Sequence, residues 1–376
     1  MLRIIIVMLI LLSAIVTTAQ EDDEALQVWE VVERCAQVLP EAPTDPAFEG
    51  IITTTGWAGI HGINAEWDVP RVLAFDSNWA EFGGFDISPS GRYLIATIGI
   101  AEEIQNNVFD ITIERFQVYD LAGEIPFEPI ETDLTFTYAP LPDIRDDYAY
   151  VAPRWVDDST FLYEVDGDYV GINAETGEQT LWEGDWNVNG VAPLASPSIA
   201  SISPDFSRLL TVPSGSFGYV VVDTSNSDVL ATLGDSVDFT TEFNPLWRAD
   251  SSAFVMNAAQ TVGLYDADGN LTEIIAEGNL VQTQNAWSPD ERYLVLTDTS
   301  ENASIYVADF DERVVYDTCV DSTGRDVAWH PTNGQFTLFA LDEEADIVHS
   351  IFDANTWTVY SSGREHGGSI LGWFAN

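Results

Sequence analysis

Three observations predict an all-β protein built as a closed ring of four-stranded blades. A strand–turn–strand unit recurs six times, its copies lie about one blade apart, and a truncated seventh copy ends the chain. The copies read Phe85-Asp-Ile-Ser-Pro-Ser-Gly-Arg-Tyr-Leu-Ile-Ala-Thr97, Arg154-Trp-Val-Asp-Asp-Ser-Thr-Phe-Leu-Tyr163, Ser201-Ile-Ser-Pro-Asp-Phe-Ser-Arg-Leu-Leu-Thr211, Leu246-Trp-Arg-Ala-Asp-Ser-Ser-Ala-Phe-Val-Met256, Ala286-Trp-Ser-Pro-Asp-Glu-Arg-Tyr-Leu-Val-Leu296 and Ala328-Trp-His-Pro-Thr-Asn-Gly-Gln-Phe-Thr-Leu338. The seventh, Ser369-Ile-Leu-Gly-Trp-Phe-Ala375, stops after its first strand. Aligning Ile87, Trp155, Ile202, Trp247, Trp287, Trp329 and Trp373 gives steps of 68, 47, 45, 40, 42 and 44 residues. All but the first match a four-strand blade.

The N-terminus has its own logic. Arg3, the apolar run from Ile4 to Val16 and the small residues Thr17-Thr18-Ala19 form a signal peptide over residues 1–19, with an uncleaved anchor as the alternative. No other segment approaches membrane-spanning length, so a soluble mature protein is expected. Residues 20–48 then read as a helix and linker. Leu26, Trp29, Val32, Cys35 and Leu39 fall on one helical face, acidic residues precede the first turn, and Pro40 and Pro43 end it. The two cysteines, Cys35 and Cys319, predict one disulfide in an exported chain.

Residues 49–376 are the repeat body. Each turn opens with Ser or Asp, whose side chain caps it; Pro presets φ, and Gly or a polar residue closes it. The following strand is apolar throughout, because stacked neighbours cover both of its faces. A third strand ends at Tyr119-Asp120, Asn173, Val222-Asp223, Tyr265-Asp266, Ala308-Asp309 and Phe352-Asp353, each a hairpin signal for a fourth. A lone C-terminal strand would leave a raw edge. Pairing of 369–375 with strands from 49–75 closes the ring, which makes a seven-bladed β-propeller; six blades is the alternative if 49–75 forms something else.

The run Trp287-Ser-Pro-Asp-Glu-Arg-Tyr-Leu294 resembles the WD-repeat-like propeller units of TolB-type proteins, and the resemblance extends over residues 83–376. Such families are mainly binding and interaction platforms, with some enzymes among them. No TolB-type N-terminal domain is recognisable, which argues against a TolB role in envelope transport.

Charge narrows the partners. The chain carries 62 acidic and 13 basic residues, a net −49, and every basic residue is Arg. Such a surface repels phosphate backbones and anionic lipids, so nucleic acid is excluded as a partner and membrane insertion after signal cleavage is not expected. Cations, basic proteins and neutral glycans remain; a solubility adaptation to a salty medium explains the charge without any partner. Catalytic patterns are missing. His61, His330, His349 and His366 form no metal-binding spacing, and His330 occupies the turn position held elsewhere by Ser. Pro213-Ser-Gly-Ser-Phe-Gly218 and Gly367-Gly-Ser-Ile-Leu-Gly372 approach a nucleophile elbow without matching it.

Two segments stand out as binding candidates. The oversized first step reads as an insertion at 124–153 carrying Tyr138, Asp143, Asp146, Asp147 and Tyr148. Loops between second and third strands, including Glu102-Glu103, Asp166-Gly-Asp168, the stretch from Asp298 to Glu301, and Asp342, Glu343, Glu344 and Asp346, gather acids at one mouth of the ring. Such a rim offers hard oxygen ligands to Ca²⁺ or steers a basic partner; otherwise it is a set of solvated hairpin tips. Asp266-Ala-Asp-Gly-Asn270 lacks the distant Glu of a calcium loop and fits a hairpin turn better. Asn270-Leu-Thr272 and Asn302-Ala-Ser304 match the glycosylation pattern. No cofactor is expected, Ca²⁺ apart. The expected protein is a secreted, periplasmic or cell-surface monomer that binds a protein, peptide or glycan at one face without catalysis. A propeller hydrolase or lyase using channel carboxylates is the alternative.

Overall fold

The computed structural model describes residues 26–39, 51–54, 60–63, 71–74, 85–88, 90–105, 108–122, 129–130, 154–155, 157, 159–165, 168–182, 200–211, 219–226, 228–233, 245–258, 260–298, 303–322, 327–332, 334–341, 347–365 and 369–373. The described secondary structure is entirely β. In chain order it begins with β1 (Glu30–Glu33) and β2 (Gln37–Leu39), then β3 (Ile51–Thr54), β4 (Ile60–Ile63) and β5 (Arg71–Ala74). Next come β6 (Phe85–Ile87), β7 (Tyr93–Gln105), β8 (Val108–Asp120) and β9 (Pro129–Ile130), and β10 (Arg154–Trp155), β11 (Thr160–Val165), β12 (Asp168–Asn173) and β13 (Gln179–Trp182). They are followed by β14 (Ala200–Ile202), β15 (Arg208–Thr211), β16 (Tyr219–Asp223) and β17 (Val229–Leu233), and by β18 (Leu246–Trp247), β19 (Ala253–Ala258), β20 (Thr261–Asp266) and β21 (Leu271–Glu277). The last are β22 (Leu280–Trp287), β23 (Tyr293–Asp298), β24 (Ala303–Asp309) and β25 (Val314–Ser322), β26 (Ala328–Trp329), β27 (Gln335–Leu341), β28 (Ile347–Asp353) and β29 (Thr358–Glu365), and finally β30 (Ser369–Trp373).

Four sheets are antiparallel meanders of consecutive strands: β6–β9, β10–β13, β14–β17 and β18–β21. A fifth has the order β30-β3-β4-β5, with Ile51 opposite Trp373 and Thr54 opposite Ser369. The sixth sheet is larger. It holds β22–β25 and β26–β29, bridged at Ser322 and Ala340, together with β1 and β2.

Where burial is described, it grades across the meander. The middle strands are covered on both faces: β23 is buried from Tyr293 to Thr297, and β20 from Val262 to Tyr265. Outer strands such as β17 stay largely exposed. That gradient is what sheets stacked face to face around an axis produce, and it explains why the second strands read as unbroken apolar runs. The same aromatic contacts recur in different units, first between cross-strand partners within a sheet and then between neighbouring units. Trp247 packs on Phe254 and Trp329 on Phe336, both at 4.8 Å and 53°. Tyr93 stacks on Trp155 of the next unit at 6.1 Å, and Tyr293 on Trp329 at 6.2 Å.

Residues 26–39 are extended; no helix forms there. Val28 bridges Ile274 of β21, β1 runs parallel to β25, and β2 runs parallel to β29. The segment therefore crosses the outer rim of three successive units like a belt. Trp29 is 7% exposed, edge-on to Phe310 at 4.8 Å, and donates its indole N–H to Glu273 at 3.0 Å. Between β1 and β2 the backbone N–H groups of Arg34 and Ala36 donate to Asp317 and Thr318, and Cys35 is disulfide-bonded to Cys319. Helical spacing of five residues loses here to open strand edges, which offer a Val-rich segment a full set of backbone partners.

Candidate binding face

Within a meander, the turns between first and second strands and between third and fourth strands fall at one end. The connections between second and third strands fall at the other. The two ends differ in character.

The first end is a tightly bonded surface. Its turns repeat one set of contacts: Ser88, Ser203 and Ser288 each accept, on the side-chain oxygen, the backbone N–H of Tyr93, Arg208 and Tyr293 at 3.0, 2.9 and 2.9 Å. The position three residues after the opening residue is left-handed, with φ of 72° at Gly91, 61° at Phe206, 62° at Ser251 and 56° at Glu291. Gly suits that conformation best; the other three hold it at a small steric cost. His330 takes the Ser position in its unit, and its Nδ1 accepts the Thr332 N–H at 3.2 Å. Burial lowers its proton affinity, and its ring meets Trp373 edge-on at 4.9 Å.

An Arg four or five residues into the turn ties each strand pair together. Arg92 reaches Asp120 at 3.3 Å, Arg208 reaches Asp223 at 3.2 Å and Arg292 reaches Asp309 at 2.9 Å. Two of them also cross to the next unit, Arg92 to Glu175 at 3.4 Å and Arg208 to Asp268 at 3.0 Å. The bond to Asp309 raises the basicity of Arg292 further. Bonds from the Ser225 hydroxyl and backbone N–H hold Asp223 below the usual carboxylate range, against a small opposing effect of burial. Burial, together with the hydrogen bond to Glu175, pushes the Tyr93 hydroxyl up to about 12. These charges are spent inside the architecture. Asp266 is likewise occupied: Oδ1 accepts the N–H of Asp268 and Asn270, and Oδ2 the side-chain amide of Asn270.

The opposite end carries the unusual element. β7 and β8 are 13 residues each, whereas β11 and β12, or β19 and β20, are 6. Among the described residues, β6 and β9 pair with the base of this hairpin, at Leu94–Ala96 and at Val118–Tyr119. From Thr97 opposite Phe116 to Gln105 opposite Val108, it extends with no further strand beside it among the described residues. Antiparallel register sets Gly99 opposite Ile113, Ala101 opposite Ile111, Glu102 opposite Asp110 and Glu103 opposite Phe109. Glu102 and Glu103 are thus strand residues and not the loop-tip acids expected from the sequence. The extra length of the first repeat is shared between this hairpin and the segment after it.

Tyr138, Asp143, Asp146, Asp147, Tyr148, Asp342, Glu343, Glu344 and Asp346 lie outside the described residues, as do the signal peptide and the 213–218 Ser-Gly segment. Asp168 begins β12 and Asp298 ends β23. His349 is fully buried in β28 and hydrogen-bonds Thr337, a core position. Among the described residues no group of three or more His, Cys, Asp or Glu side chains is placed to hold a metal.

The rim adds a feature with no clear signal in the sequence. The Arg34 guanidinium lies 4.1 Å from the Trp357 ring centre and 5.0 Å from that of Tyr316, and its carbonyl accepts the Trp357 indole N–H. Trp357 holds φ of 59° at the turn position that Gly177 fills in another unit.

Stacked meanders sharing one contact set, with the last strand completing the first sheet, define the β-propeller class. Among solved structures, the chain is similar to dipeptidyl peptidase 4 of Porphyromonas gingivalis at a TM-score of 0.51 and 10% identity, covering 85% of this chain and 60% of that one. That likeness shows the fold alone, and the chain spans less than two thirds of that protein. Weaker likenesses are to the Cps50 (Swd1) β-propeller domain of Myceliophteria thermophila (TM-score 0.45, 11% identity, 81% and 97% of the two chains) and to a putative TolB of Agrobacterium tumefaciens (0.37, 14%, 58% and 82%). No family model matches the chain, and no curated protein matches it.

Proposed function

We propose that this chain is an extracytoplasmic, non-enzymatic binding propeller of seven blades. Its ligand, a protein, peptide or glycan, docks at the mouth that bears the β7–β8 hairpin. The blade count rests on five four-stranded sheets plus the two strand quartets within the ten-stranded sheet. Export is supported by the leader-like N-terminus and the Cys35–Cys319 bond, which fits an oxidising compartment.

The observation that carries the binding role is the hairpin. A two-stranded ribbon is marginal by itself in water, and ordering it costs conformational entropy. On a ring where β11–β12 and β19–β20 are strands of 6 residues, an arm of 13-residue strands is best accounted for by contact with something else. A net charge of −49 favours a neutral or cationic ligand over an anionic one.

The test replaces residues 98–115 by Asn-Gly, retaining the Thr97–Phe116 pair as the hairpin end. Wild type and the shortened protein are compared for binding to an immobilised Arg-rich peptide and to a neutral oligosaccharide in 0.15 M salt. The reading predicts binding of one probe that weakens at least tenfold on shortening, with the melting temperature unchanged. Equal binding by both proteins contradicts it. Turnover of either probe by wild type favours a hydrolase or lyase instead.

A further inference from the structure

We infer that Asn270 is an acceptor for an N-linked glycan. The inference rests on the export reading above. Asn270-Leu271-Thr272 has the acceptor spacing, in which the hydroxyl two residues on assists the asparagine amide. The structure puts this triplet where a glycan fits. Asn270 closes the β20–β21 hairpin turn on the outer rim, and Asn270, Leu271 and Thr272 are all exposed.

The surroundings match. Among the described residues, the large apolar side chains left exposed are Leu26, Val31, Val38, Val229, Leu230 and Leu271. All six lie on the belt or on outer strands. Leu271 is inside the triplet. Val229 and Leu230 lie just before Ala231, whose Cβ is 2.7 Å from where a side chain on Gly269 would begin. The turn bearing Asn270 therefore abuts the exposed stretch of β17. Its position is fixed by Asp268, bonded to Arg208 of the neighbouring unit. Sugar rings have an apolar face, and a glycan anchored here would shield these side chains on a surface that is otherwise charged.

The chemistry balances without a redox step. Asn270 Nδ2 bonds to the anomeric carbon of a polyisoprenyl-diphosphate-linked oligosaccharide. The carbon–oxygen bond to the diphosphate breaks, the diphosphate leaves with the electron pair, and the amide gives up one proton. The remaining Nδ2 hydrogen is enough for the bond to Asp266 Oδ2, 2.9 Å in the folded turn. Thr272 Oγ donates to the Leu264 carbonyl at 2.9 Å. Both reacting groups are engaged once the hairpin closes, so transfer precedes its folding.

The full chain, with its own leader, is expressed in a eukaryotic secretory host alongside Asn270→Gln, Asn302→Gln and Thr272→Ala. Intact mass and peptide maps are recorded before and after amidase deglycosylation, which leaves Asp at the modified position. The expected result is a secreted protein with a glycan mass that is lost in Asn270→Gln and Thr272→Ala and retained at position 270 in Asn302→Gln. Two different substitutions guard against one that merely misfolds. Secreted, disulfide-bonded protein with an unmodified 270 peptide overturns the inference while leaving export intact. Retention inside the cell with the leader attached overturns both.

Discussion

Single side chains set the spacing between units. The indole N–H of Trp287, Trp329 and Trp373 each donates to a first-strand carbonyl of the preceding unit: Leu246 at 3.3 Å, Ala286 at 2.8 Å and Ala328 at 2.8 Å. Trp329→Phe keeps most of the packing and strands a buried carbonyl. It should cost about 1–3 kcal/mol, measured by denaturant unfolding. A change below a few tenths would mean the bond does not bear on stability. His330 carries a pH signature. Burial lowers its affinity for a proton in the folded state, so the unfolded chain binds the proton first as pH falls through 6.5. Its neutral form leaves stability intact above that pH, and stability declines below it until the folded protein is protonated too. His330→Asn keeps an acceptor for the Thr332 N–H and should flatten the melting-temperature difference between pH 7.5 and 5.5. The Ser and Pro of each turn were readable in sequence because their chemistry is local. The bridging Arg was not, although its recurrence beside an Asp at the end of the third strand was there to find. Arg34 between Tyr316 and Trp357 had no such signal, because its partners come from two different units.

At the scale of elements, the instructive case is the N-terminal segment. Leu26, Trp29, Val32, Cys35 and Leu39 share a helical face, yet of the five Trp29 alone is buried, and Leu26 and Cys35 are exposed. Periodicity records what a segment would do alone; it is blind to waiting strand edges. β25, β29 and the Ile274 carbonyl supply those edges, and Trp29 and Arg34 fix the register by filling seams between units. The disulfide was readable because the chain has only two cysteines. It ties residues 284 apart in sequence. Replacing both by Ser should lower unfolding free energy by about 2–5 kcal/mol. Proteolysis should then cleave residues 26–39 sooner than in the bonded protein. Unchanged stability and protease resistance would show that strand pairing alone secures it.

For the whole molecule, the repeat was legible because each unit must hide two apolar faces, and that requirement is written into every second strand. The oddities were less so. A hairpin longer than its counterparts extends a strand pattern without breaking it, so the added length looked like an insertion further along. The chain's charge says which partners are repelled and leaves open which is bound. The account depends most on a closed circuit, in which the end of the chain completes the sheet begun by β3. The direct measurement is a cross-link. Thr54 and Ser369 are register partners, so Thr54→Cys with Ser369→Cys should form a disulfide spontaneously in the oxidised protein. A non-reducing peptide map should recover the 54–369 peptide pair beside 35–319, with a raised melting temperature. Free thiols at 54 and 369 in folded protein, or a bond from either to another partner, would contradict closure.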